Sequence, residues 1–201
     1  MKWLYLVAGW DNKSPDEFLK MVGEAIEGGV NIVQLRQKDA SARELIAYGE
    51  ALKALLESYG IPLLINDRVD VAHALGADGV HLGQSDLPLS HARAILGPKA
   101  LIGLSIETLD HIKKADAADY LAASPVLTTR TKPDCGTPWG WDGLKRACDL
   151  SLRPVIAIGG MNETNAAFAC QCGAAGVAVV SAITEAACPK TAARKIRDAI
   201  S

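Results

Sequence analysis

Cations, hydroxyls and carboxylates recur in this sequence just after short apolar runs, where a phosphorylated ligand could be held. The densest case is Thr128-Thr129-Arg130-Thr131-Lys132-Pro133-Asp134-Cys135-Gly136-Thr137-Pro138, which follows the run Tyr120 to Val126. Prolines stiffen it and Gly136 lets it turn. Hydroxyls and cations crowded together suit an anion, above all a phosphate, although alone the stretch reads equally as a polar surface loop. A second cluster is Gln34, Arg36 and Lys38, at alternate positions, so that all three project to one side of an extended strand. Facing a packed interior they are costly unless an anion meets them; at a free strand end they are simply solvated. A third is the pair Asp67 and Asp86, each following an apolar run. Such carboxylates serve as an acid/base pair or as oxygen ligands for a hard cation, and magnesium favours one or two carboxylates plus phosphate oxygens. Asp67 also fits as the N-cap of the following helix.

These groups need elements to position them, and the chain supplies a regular series. Its apolar runs are Leu4 to Ala8, Asn31 to Leu35, Pro62 to Ile65, Gly79 to Leu82, Leu101 to Ile106, Tyr120 to Val126, Pro154 to Ile158 and Gly176 to Ile183, eight in all. They are rich in Val, Ile and Leu with little polar alternation, as strands covered on both faces are. Amphipathic stretches separate them. Ser14-Pro15-Asp16-Glu17 and Ser41-Ala42-Arg43-Glu44 are capping boxes that start helices, and Gly28, Gly60, Gly76, Gly97 and Gly173 mark helix ends. A weak repeat, seen at Gly28-Gly29-Val30, Gly76-Ala77-Asp78-Gly79, Ala117-Ala118-Asp119 and Gly173-Ala174-Ala175-Gly176, ends a helix at a small residue and begins a strand. The expected fold is α/β, a (β/α)8 TIM barrel forming one domain over residues 1–201, with a doubly wound open sheet as the alternative.

In such a barrel the chemistry sits at the C-terminal ends of the strands. Gln34, Arg36, Lys38, Asn66 and Lys132, with a metal on Asp67 and Asp86, form one expected anion site. Thr129, Thr131, Gly160 and Ser181 form another, because glycines after the seventh strand and a hydroxyl after the eighth place backbone N–H groups against a phosphate. Ser105 is placed to donate to a ligand. His81 is expected to pack or point outward, and His73, His91 and His111 to lie on helix surfaces.

The chain has 201 residues, 49% hydrophobic, with a net charge of -2, so no basic field favours nucleic acid or a membrane surface. The N-terminal apolar run Trp3 to Ala8 is too short for a signal peptide or a membrane span, which points to a cytoplasmic protein. Five cysteines, an odd number without a C-x-x-C pair, read as reduced thiols, including Cys135 on the polar loop. Assembly of a homo-oligomer is left open.

Taken together, Val33-Gln34-Leu35-Arg36-Gln37-Lys38-Asp39, Ile65-Asn66-Asp67-Arg68-Val69-Asp70, Gly76-Ala77-Asp78-Gly79-Val80-His81-Leu82-Gly83-Gln84, Thr131-Lys132-Pro133-Asp134 and Ala157-Ile158-Gly159-Gly160 resemble the thiamine phosphate synthase (thiamine-phosphate pyrophosphorylase) family over nearly the whole chain. The resemblance implies a barrel enzyme, a transferase that joins a hydroxymethylpyrimidine diphosphate to a thiazole phosphate and releases diphosphate with Mg2+. It implies that Gln34, Leu35, Arg36, Gln37, Lys38, Asn66, Ser105 and Lys132 hold the pyrimidine diphosphate. It places magnesium on Asp67 and Asp86, and the thiazole phosphate on Thr129, Arg130, Thr131, Gly160, Val180 and Ser181. Arg36, Lys38, Lys132 and Ser105 are the implied catalytic groups. Against the family's usual pattern stand Gln37 in place of an acid, Thr128 and Arg130 in place of prolines, Ser105-Ile106-Glu107 in place of Ser-x-His, and Ser124 in place of a glycine. The rival readings are a thiazole tautomerase, which relies on a histidine where Glu107 stands, and a non-catalytic phosphate-binding barrel.

Overall fold

Eight parallel strands close on themselves in chain order, each hydrogen-bonded to the next and β8 to β1. The computed structural model describes residues 1–129 and 136–201. The strands are β1 (Trp3–Ala8), β2 (Ile32–Leu35), β3 (Leu63–Asn66), β4 (Gly79–Leu82), β5 (Leu101–Ile106), β6 (Tyr120–Ala123), β7 (Val155–Ile158) and β8 (Gly176–Val179). Between and after them run α1 (Pro15–Glu27), α2 (Ala42–Tyr59), α3 (Val69–Leu75), α4 (Leu89–Leu96), α5 (Leu109–Lys113), α6 (Gly140–Leu150), α7 (Ala166–Gln171), α8 (Ser181–Thr184) and α9 (Pro189–Ala199). The expected (β/α)8 barrel is the fold found, and the open sheet is not.

Both expected capping boxes form: Ser14 and Ser41 accept from the backbone N–H of Glu17 and Glu44, whose carboxylates reach back. Two of the apolar runs extend three or more residues past their strands. The sixth stops at Ala123 because Pro125 has no N–H with which to continue the ladder. The eighth stops at Val179, and its remaining residues form α8.

The pleat divides the apolar residues into two layers. Val33, Leu35, Ile65, Val80, Leu82, Ile102, Leu104 and Leu121 face the helices, where Phe18, Val22, Leu52, Ala72, Leu144 and Ile196 complete the larger core. Tyr5, Val7, Ile32, Leu64, Tyr120, Ile156 and Ala178 face the axis and fill the lower barrel. Gly103 on β5 is part of that inner packing. It lies in register with His81 on one side and Tyr120 on the other. A Cβ added to it would stand 2.1 Å from the Tyr120 ring, so the missing side chain is the space the tyrosine occupies.

Candidate active site

Above the packed floor, at the C-terminal ends of the strands, is a cavity of about 780 Å³. Its wall includes Gln34, Arg36, Lys38, Asn66, Asp67, Asp86, Ser105, Thr129, Gly160, Val180 and Ser181. The two expected anion sites are therefore one continuous space, with β2 to β5 supplying one side and β7 to β8 the other. Arg130, Thr131, Lys132 and Cys135 lie outside the described residues.

Strand alternation turns Gln34 into the cavity. Arg36 and Lys38 also line it, but they lie past the end of β2, Lys38 in a turn, so the single extended strand expected for all three ends at Leu35. The same alternation turns Leu35 outward, where it is fully buried in the larger core. Gln37 is also absent from the wall, and its Oε1 accepts from the Asp11 N–H at 3.3 Å. Leu35→Ala is accordingly expected to lower stability by about 2–5 kcal/mol. Its KM values should stay within about twofold of the parent, and thermal unfolding beside steady-state kinetics checks both.

Asp67 follows β3 with a φ of 61°, a left-handed conformation that only a minority of non-glycine residues adopt and that Asp tolerates better than most. Its N–H donates to the His81 carbonyl at 2.8 Å, which ties the turn to β4. It is not the cap of α3: Arg68 holds that position without a side-chain bond, and its guanidinium pairs with Asp70 at 2.6 Å instead. Burial, then the hydrogen bond and charge of Asp86, push the Asp67 carboxyl up to about 6, while Asn66 and Arg36 act in the opposite sense. Asp86 is itself held by the Gly83 N–H at 2.6 Å. The two carboxylates thus form one unit in which a second negative charge is costly. A divalent cation relieves that cost. Among the described residues no group of three or more His, Cys, Asp or Glu could hold a metal alone. The donor set is a carboxylate pair that leaves other positions to substrate oxygens and water, which fits magnesium.

On the far wall Gly159 and Gly160 turn with φ of 96° and 71°. A Cβ on Gly160 would press on the Leu127 side chain at 2.9 Å, and its carbonyl accepts from Asn165 Nδ2 at 2.9 Å. Val180 then caps α8, whose first-turn N–H groups begin at Ser181.

A family profile described as thiamine monophosphate synthase matches residues 4–183. The chain belongs to that family. Thiamine-phosphate synthase of Vibrio parahaemolyticus is 47% identical over 192 residues, 94% of each chain. The protein of the same description from Albidiferax ferrireducens is 45% identical over 199 residues, covering 98% of this chain and 91% of that one. Among solved structures, thiamine phosphate pyrophosphorylase from Pyrococcus furiosus superposes with a TM-score of 0.89 at 36% identity, covering 98% of this chain and 95% of that one. As a member of the thiamine monophosphate synthase family the protein is an enzyme, a transferase of thiamine biosynthesis. No helix among the described residues is long and apolar enough to cross a membrane.

Of the two expectations for His81, packing holds and an outward course does not. The ring points inward, 8% exposed, and lines the cavity with its Nδ1 2.8 Å from Tyr120 Oη and its Nε2 2.9 Å from Ser105 Oγ. The signal was available: Val80 and Leu82 are the apolar, outward positions of β4, so the residue between them faces the axis. His73 and His91 are exposed on α3 and α4, as expected, and His111 on α5 is half-buried. Tyr5 and Glu185 also line the cavity, and no spacing in the sequence singled them out.

Proposed function

We propose that the protein is a thiamine phosphate synthase. It joins 4-amino-5-hydroxymethyl-2-methylpyrimidine diphosphate to 4-methyl-5-(2-hydroxyethyl)thiazole phosphate, or its carboxylated form, giving thiamine phosphate and diphosphate in the cytoplasm. The observation that carries the reading is the meeting of a carboxylate pair, Asp67 and Asp86, with Arg36 and Lys38 in one cavity. Carboxylates alone would repel a diphosphate, and cations alone would not explain the carboxylates. Asp67 and Asp86 would hold a magnesium ion, which would supply charge neutralisation to the leaving group and so account for both sets of charges.

Arg36 and Lys38 hold the diphosphate from the β2 side. The Arg36 guanidinium can engage two oxygens at once, and the Lys38 ammonium adds a point charge. The bond from the pyrimidine methylene to the diphosphate oxygen breaks, and its electron pair leaves on the diphosphate. The electron-rich aminopyrimidine spreads the positive charge left on carbon. The thiazole nitrogen then forms the new C–N bond with its own lone pair. The coupling requires no general base, so the work of the side chains is positioning and stabilising departing charge. Gln34, Asn66 and Ser105 orient the pyrimidine diphosphate. Thr129, Gly160, Val180 and Ser181 hold the thiazole phosphate, and Arg130, Thr131 and Lys132 are assigned beside these sets from the sequence.

Incubation of the purified protein with both substrates should yield thiamine phosphate and diphosphate in equal amounts with Mg2+ and neither after chelation. Failure to couple the pair in the presence of Mg2+ would overturn the assignment.

A further inference from the structure

A line of hydrogen bonds crosses the barrel floor beneath the cavity. Gln34 Nε2 donates to Tyr5 Oη at 2.5 Å, Tyr5 Oη lies 2.9 Å from Tyr120 Oη, Tyr120 Oη lies 2.8 Å from His81 Nδ1, and His81 Nε2 lies 2.9 Å from Ser105 Oγ. It joins β2, β1, β6, β4 and β5 in that order and ends at two residues of the proposed pyrimidine site. Tyr5 and Tyr120 are 1% and 0% exposed, and burial raises both phenol pKa values, so the hydroxyls keep their protons. Gly103 provides the gap through which Tyr120 reaches past β5 to the imidazole; a Cβ there would stand 2.3 Å from Tyr120 Oη.

The orientation of the Gln34 amide sets the direction of the line. Its nitrogen faces Tyr5 and only donates, so Tyr5 Oη accepts from Gln34. The Tyr5 proton must then go to Tyr120, because in the reverse direction it would be a buried donor with no acceptor. Tyr120, having accepted, gives its proton to His81 Nδ1. With Nδ1 an acceptor, the ring proton sits on Nε2 and is donated to Ser105 Oγ. Ser105 has then accepted, and its own O–H is released to donate elsewhere. At the other end, Gln34 spends its amide N–H on Tyr5 and keeps its carbonyl oxygen as an acceptor.

We propose that Tyr120 and His81 are positioning residues that set the direction of this line, so that Ser105 presents a donor to the pyrimidine ring and Gln34 an acceptor. That polarity selects an aminopyrimidine, with a ring nitrogen that accepts and an exocyclic amine that donates, over the 4-oxo ring, whose N–H and carbonyl reverse the pattern. The inference rests on the proposed pyrimidine diphosphate substrate and adds what enforces its choice. Tyr120→Phe removes the proton donated to Nδ1 and frees His81 to take the other tautomer, in which Nε2 accepts from Ser105 and the donor is withdrawn from the cavity.

The test measures kcat/KM for the 4-amino and 4-oxo pyrimidine diphosphates with the parent, Tyr120→Phe, Ser105→Ala and the double variant, each checked for an unchanged thermal midpoint. The expected result is a loss of about tenfold for the amino substrate in each single variant, the scale of one hydrogen bond. The amino-over-oxo preference should shrink by a similar factor, and the double variant should be no worse than Ser105→Ala. His81→Phe cuts the next joint and should lose the preference equally, which covers a Tyr120→Phe that does not fold. Losses that multiply in the double variant, with the preference intact, would reduce Tyr120 to packing. A parent that couples neither pyrimidine would instead sink the substrate assignment.

Discussion

Asp67→Asn is expected to lower magnesium-dependent turnover by about a thousandfold or more while leaving the fold in place. The loss follows from removing one of two carboxylates that would share the cation, since metal stabilisation of a departing charge is worth several kcal/mol. The fold should survive for a separate reason. With a φ of 61°, position 67 asks for a residue that tolerates left-handed backbone, and asparagine does so at least as well as aspartate. Alanine at the same position would add backbone strain and confuse the two effects. Among the described residues no ion pair to Asp67 is lost either, because the neighbour acting most strongly on it is another carboxylate, Asp86. Diphosphate release against Mg2+ concentration, beside thermal unfolding, makes the comparison. Turnover near the parent rate at saturating Mg2+ would remove Asp67 from its assigned role.

Arg36→Gln has the next largest expected effect, a fall of about 10²- to 10³-fold in kcat/KM for the pyrimidine diphosphate, the range for loss of a preorganised charge donor. Arg36→Lys should recover only part of it, because an ammonium cannot grip two oxygens in one plane. Arg36 also acts on Asp67, favouring its charged form. Removing the guanidinium therefore takes a repelling charge away from the cation site, and the Mg2+ concentration for half-maximal rate should not rise. Rates within about threefold of the parent would show that Lys38 and the residues beyond the described wall suffice.

The barrel was legible in the sequence because its strands are buried on both faces and write themselves as unbroken apolar runs, while capping boxes and glycines punctuate the helices between them. The cavity wall was legible where strand alternation turned a polar residue inward, as at Gln34, or where a charged residue followed an apolar run, as at Arg36, Lys38, Asp67 and Asp86. Within the same motif Leu35 differs from its neighbours, since its parity places its side chain among the helices. His81 went the other way. A histidine between Val80 and Leu82 looks like part of an apolar run until the fold says which face is the interior. Tyr5 and Tyr120 were harder still, since a phenol inside a run is ordinary core until a second hydroxyl from a distant strand arrives beside it. That meeting depends on β1 and β6 facing each other across a closed barrel and on a glycine, Gly103, clearing the way. Long-range encounters of this kind leave no local trace.

The filled lower half of the barrel also governs traffic. With Tyr5, Leu64, Tyr120 and Ile156 packed across the base, the cavity among the described residues lies on the side of the strands' C-terminal ends. Under the proposed coupling, a pyrimidine resting on that base would be covered by the molecule that settles above it, and the joined product would have to clear the same rim, so product release is the step most exposed to changes there.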